Sequence, residues 1–179
     1  MTVPEMPDEI VAHYQERYDE GRRLDEGPDG TMEAIRTLEL LGRLLPPPPA
    51  RILDVGGGPG FYARRLTGAG YEVHLVDPVP RHVEQASEPG DDRPASAVLG
   101  DARSLDHPDG SFDTVLLLGP LYHLTDRADR MTALTEARRV ARPGAPVAAA
   151  AISRFAPAID LLDRGRIDDP AALEIMRRD

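Results

Sequence analysis

The run Leu53-Asp54-Val55-Gly56-Gly57-Gly58-Pro59-Gly60 is the end of an apolar strand that dissolves into glycine and resumes as a helix. Glycine is needed there because a side chain would block a ligand lying against the backbone, and because a turn this tight calls for positive φ. The helix that starts behind the turn presents unpaired N–H groups and a partial positive charge, which suits a carboxylate or phosphate. On either side the pattern alternates strand and helix. Strands are expected over 51–55, 72–76, 97–99, 112–118 and 146–152, and helices over 61–69, 80–87 and 126–141, the last with Met131, Leu134 and Val140 inward. Such alternation marks an α/β fold, a doubly wound and mostly parallel sheet covered on both faces. Before it, helices are expected over 10–24 and 31–45. Gly27, Pro28 and Gly30 break the chain between them, Thr31 caps the second, and Ile35, Leu38, Leu41, Leu44 and Leu45 form its stripe. The prolines at 46–49 end that helix by removing successive donors. Beyond Ser153 only helical pattern follows, so the whole chain reads as one domain: N-terminal helices over 1–45, a binding core over 50–153 and a helical end over 154–179.

Composition narrows the function classes. The 179 residues contain no cysteine, which excludes disulfide scaffolds, thiolate metal sites and cysteine nucleophiles. Every basic residue is arginine, which removes Schiff-base chemistry and the P-loop lysine. A formal net charge of −10 repels a polyanion, so a small molecule is the expected partner and nucleic acid is not. No apolar run is long enough for a membrane span and the start is acidic and proline-rich, unlike a signal peptide, so a soluble cytoplasmic protein is expected. His13, His74, His82 and His107 lack metal-ligand spacing and are expected to be structural or exposed; no metal site is expected.

The dinucleotide fingerprint G-x-G-x-x-G fails, because counting from Gly56 the sixth position is Phe61 and from Gly58 it is Ala63. D-x-G-x-G-x-G, from Asp54 to Gly60, does fit. With this motif, and with later segments in matching order over about residues 31–154, the sequence resembles the class I S-adenosylmethionine-dependent methyltransferases. That resemblance implies a Rossmann-like sheet of order 3-2-1-4-5 with N-terminal lid helices, and S-adenosylmethionine as cofactor with S-adenosylhomocysteine as product. Gly56, Gly57, Gly58 and Gly60 would hold the methionine tail, with Asp54 facing its amine. Asp77, followed by Pro78, closes the second strand about 20 residues past the turn, where an acid accepts from ribose hydroxyls. Asp101 and Ala102 match the position that contacts adenine.

The segment Leu118-Gly119-Pro120-Leu121-Tyr122-His123 is similar to the family motif beside the transferable methyl group. Leu118 would wall the cofactor, and Tyr122 and His123 are the candidate catalytic residues, His123 as a base with a near-neutral pKa. Tyr14, Tyr18 and Arg36 precede the sheet, where the family places lid helices; Tyr18 and Arg36 are candidate cofactor contacts, Arg36 to the carboxylate. Arg138, Arg139 and Arg142 are expected on a solvated helix face. The family ordinarily adds two strands after the fifth. Without them this chain is expected to be a shortened form whose fifth strand keeps an open apolar edge that a second copy or a partner chain covers. Three functions stay open at this level: small-molecule methyl transfer, a catalytically inactive S-adenosylmethionine-binding module, and a nicotinamide-dependent oxidoreductase.

Overall fold

The computed structural model describes residues 24, 28–153, 155–165 and 170. The helix expected over 10–24, with Tyr14 and Tyr18, lies outside them apart from Leu24. The described chain runs α1 (Pro28–Leu44), β1 (Arg51–Val55), α2 (Phe61–Gly68), β2 (Glu72–Asp77), α3 (Pro80–Ala86) and β3 (Ser96–Leu99). It continues through β4 (Thr114–Leu117), α4 (Pro120–His123), α5 (Arg127–Val140), β5 (Val147–Ala149) and α6 (Ala156–Asp163). The five strands form one sheet in the order β3-β2-β1-β4-β5, every pair parallel.

Alternation along the strands sorts the core into two layers. Leu53, Val55, Val115 and Leu117 face α5, where Ala133, Ala137 and Val140 meet them. Ile52, Val73, Leu75 and Leu116 face the other way, onto Leu41 of α1, Ala63 and Leu66 of α2 and Ala86 of α3. Both faces of these central strands are covered, which is why 114–117 and most of 51–55 are buried throughout, the polar Thr114 and Asp54 included. In register, Asp54 stands beside Leu75 and Leu116, and Val55 beside Val76, so the carboxyl ends of β1, β2 and β4 finish together. The order reverses between β1 and β4, and that switch point opens a crevice beyond the strand ends.

Several elements depart from expectation. The α1 helix begins at Pro28 rather than at Thr31. Proline has no donor to lose at the first helical position, so the sequence that looked like a break is a helix start. The inward stripe of α1 is Ala34 and Leu41, both buried, with Leu38 partly buried beside them and Leu45 just past its end, while Ile35 and Leu44 are exposed. The strand expected over 112–118 is four residues long, because Phe112 makes only an isolated bridge to Ala141 and the chain turns at Leu118. The strand expected over 146–152 is three residues long and forms one edge of the sheet. On α5, Asp126 caps the start by accepting from the Ala128 N–H at 2.6 Å, but Met131 points outward and small alanines take the inward places. Arg139 is no solvated cation: it binds Glu136, Asp109 and the carbonyls of Leu105 and His107, bolting the loop before β4 to α5. Arg142 pairs with Asp113.

Candidate functional site

The glycine turn occupies the crevice. Gly56 has φ +68°, and a Cβ there would lie 2.6 Å from Cγ of Pro120, so the first glycine lets α4 close down on β1. A Cβ on Gly57 would lie 2.7 Å from both Oδ2 of Asp54 and Cδ1 of Leu75. Side chains therefore have no room at Gly56 and Gly57. Gly60 stands behind it as the residue before α2, with no side chain capping the helix. Gly56, Gly57 and Gly58 line the cleft, as do Phe61 and Tyr62 of α2 and Leu118 and Gly119 after β4.

Asp54 is the chemically exceptional residue. It is 1% exposed, lines the cleft, and neither carboxylate oxygen has a hydrogen-bond partner among the described residues. Burial, with a smaller contribution from the negative charge of Asp77, pushes its pKa up to about 7. A buried carboxylate without a partner is costly, and it is relieved by a proton or by a cation entering the cleft.

Asp77 is placed at the end of β2 as expected, but much of its capacity is already used. Its Oδ2 accepts the Gly58 N–H at 2.8 Å, and Oδ1 accepts the Val79 N–H at 2.9 Å and Nδ1 of His82 at 3.0 Å. An ionised carboxylate only accepts, so Nδ1 of His82 carries the proton in this pair. The carboxylate thus ties the glycine turn to the start of α3. His82, expected to be structural or exposed, is buried and lines the cleft itself. Pro78 lines it too.

Farther along, Gly100 and Ala102 line the cleft. The carboxylate of Asp101 turns onto Arg103 instead: Nη2 donates to Oδ2 at 2.6 Å and Nε to Oδ1 at 3.0 Å. Nη1 of Arg103 reaches Asp129 of α5 at 2.8 Å. The Arg103 guanidinium is almost fully buried, and its hydrogen bonds with Asp101 push its pKa further up, so it stays charged. Neither His82 nor Arg103 stood out in the sequence; the one available signal was position, within five residues after a strand-end aspartate.

Tyr122 and His123 sit together on α4, ring centroids 4.7 Å apart, and both line the cleft. Arg36 does not reach it. Its Nη1 donates to Oε2 of Glu39 at 2.5 Å on the exposed face of α1. Tyr18 lies outside the described residues. The structure therefore brings together Asp54, the glycine turn, Asp77, Ala102, Leu118, Tyr122 and His123, and leaves Arg36 apart. Among the described residues no cluster of acids and histidines is suited to a metal ion, and no helix is long and apolar enough to cross a membrane.

Comparison with known proteins gives the same reading. Residues 53–149, more than half the chain, match a family described as a methyltransferase domain. An uncharacterized methyltransferase of Mycobacterium tuberculosis is 36% identical over 108 residues, 59% of this chain and 41% of that protein. Human methyltransferase-like protein 27 is 39% identical over 87 residues, 47% of this chain and 36% of its own length. The matched stretch thus spans about two fifths of these curated relatives. A solved S-adenosylmethionine-dependent methyltransferase of Methanosarcina mazei superposes with a TM-score of 0.53 at 27% identity, covering 59% of this chain and 53% of that one. One from Thermotoga maritima shares the fold at 21% identity, with a TM-score of 0.64 over 94% of this chain and 78% of its own. The chain belongs to the methyltransferase-domain family, within the class I S-adenosylmethionine-dependent methyltransferases.

Proposed function

We propose that the protein transfers a methyl group from S-adenosylmethionine to a small-molecule acceptor. The observation that carries this reading is Asp54, a buried and unpartnered carboxylate lining a cleft that glycine backbone also lines. That combination asks for a ligand bearing a cation beside a group that lies flat on the main chain, and an amino acid tail supplies both. When bound, S-adenosylmethionine supplies a methyl carbon on a positively charged sulfur, open to in-line displacement.

The residues then divide the work. Asp54 receives the α-ammonium, and the uncapped start of α2 with the turn N–H groups receives the carboxylate. Of about four acceptor positions on Asp77 three are taken by Gly58, Val79 and His82, leaving one for a ribose hydroxyl. Ala102 offers its backbone to the adenine edge, while Asp101 acts at one remove through its clamp on Arg103. Tyr122 and His123 face the space where the acceptor enters, and His123 takes the proton that an oxygen or nitrogen nucleophile releases as its lone pair forms the new bond to carbon. The bound cofactor would supply a sulfonium whose sulfur keeps the electron pair of the carbon–sulfur bond, so the transfer would need no outside reductant or oxidant.

A small acceptor fits a chain of net charge −10, which repels nucleic acid. We also propose that the β5 edge, followed by the exposed Ile152, pairs with a second copy or a partner chain. Light scattering at high concentration is expected to show a dimer, and a strict monomer counts against it. The catalytic reading is tested by calorimetric titration with S-adenosylhomocysteine and, separately, with NADH. Saturable binding of the first and none of the second is expected; the reverse removes the reading.

A further inference from the structure

A second groove, of about 480 Å³, is lined by Leu121 and Tyr122 of α4, and Tyr122 lines the cofactor cleft as well. Its apolar wall is made by Leu121 of α4, Met131 and Leu134 of α5, and Ile152 after β5. Met131 and Ile152 are 48% and 63% exposed, so this wall shows apolar surface to solvent. Its rim is cationic. Arg127 and Arg130, from the first turn of α5, border it in a chain whose overall charge is −10.

The neighbouring acids are occupied elsewhere. Asp126 accepts from the Ala128 N–H at the helix start, and Asp129 is bound to Arg103. Arg127 makes no ion pair among the described residues. Arg130 donates through Nη1 to the carbonyls of Leu124 and Thr125, at 2.8 and 2.7 Å, which fixes its guanidinium at the rim without neutralising it. Two uncompensated guanidiniums over an apolar floor complement a molecule with the opposite arrangement.

We propose, resting on the methyl-transfer reading above, that this groove seats the acceptor, and that the acceptor is an apolar molecule carrying an anionic group, carboxylate or phosphate, received by Arg127 and Arg130. Its reactive end passes Tyr122 into the cleft beside His123, while its anionic end stays at the rim. This places specificity on α5 and leaves the cofactor residues uninvolved.

The test uses the whole chain and the fluorescent anion anilinonaphthalene sulfonate, with the uncharged phenylnaphthylamine as control and S-adenosylhomocysteine titrated in parallel. Saturable sulfonate binding is expected, about tenfold weaker in Arg127→Gln because one charge-assisted contact is lost. In Met131→Glu it is lost altogether, and in both variants S-adenosylhomocysteine binds as before. The uncharged control is expected to bind alike in the wild type and in Arg127→Gln. Competition by octanoate and by octyl phosphate then distinguishes carboxylate from phosphate, with octanol much weaker than either. Sulfonate affinity unchanged in both variants, displacement by S-adenosylhomocysteine, or octanol competing as well as the anions overturns the proposal. Failure of S-adenosylhomocysteine to bind the wild type overturns the cofactor reading instead, and the variants still report on the groove.

Discussion

Replacing Asp54 by asparagine keeps the shape of the side chain and removes its titration. In the folded chain the Asp54 pKa stands at about 7, against a model-peptide value of 3.8. Between those values the folded state holds a proton that the unfolded state has lost, so stability falls as pH rises and levels off once pH passes about 7. The full span of about 3 pH units corresponds to at most about 4 kcal/mol, at about 1.4 kcal/mol per unit. Between about pH 5 and about pH 8 the share is about 2–3 kcal/mol. Urea unfolding of both proteins at the two pH values isolates this contribution, because all other titrating groups cancel in the difference. The wild type is expected to lose about 2–3 kcal/mol relative to Asp54→Asn across that interval. Parallel profiles would refute the assignment of an unpartnered buried carboxylate. The same residue links to function: an ammonium in the cleft stabilises the ionised form, so S-adenosylhomocysteine affinity is expected to rise with pH up to about 7 in the wild type and to be weaker and flat in the variant.

Three further substitutions probe the remaining parts. Gly57→Ala drives a methyl to within 2.7 Å of Asp54 and Leu75, and is expected to cost about 1–3 kcal/mol in thermal unfolding and at least about tenfold in S-adenosylhomocysteine affinity by calorimetry. Arg103→Ala orphans Asp101 and Asp129; both are partly exposed and reach water, so a loss of about 2–3 kcal/mol is expected in urea unfolding, below the figure for fully buried pairs. His123→Ala is expected to leave calorimetric S-adenosylhomocysteine affinity within about threefold while lowering labelled methyl transfer by about 10²–10⁴-fold.

The sheet was legible because its signals are local. The apolar run before Gly56 and the glycines after it specify strand, turn and helix within ten residues, and the spacing of Asp54, Asp77 and Asp101 marks three successive strand ends. Boundaries were less so. The apolar residues on both sides of β4 and β5 read as strand, yet pairing is settled by the neighbour's length, which is a tertiary matter. Pro28 illustrates an ambiguity of chemistry, since proline can stop a helix or open one, and here it opens α1. Met131 looked inward by size, but α5 lies close to the sheet and alanine takes the contact. In the site, residues that act through position in their own segment were found. The long-range pairs, Arg103 with Asp129 and Arg139 with Asp109, have no local signal that names the partner. His82 and Arg36 exchange roles through near neighbours instead: Asp77, five residues before it, holds the histidine at the cleft, and Glu39, three residues on, holds the arginine outside it.

A crystal structure of the chain grown with millimolar S-adenosylhomocysteine examines the whole arrangement at once. The account predicts the ligand lying along the glycine turn, its ammonium on Asp54, a ribose hydroxyl at Asp77 and its adenine beside Ala102. An empty cleft, or a ligand whose amino acid tail lies away from Asp54, would contradict it.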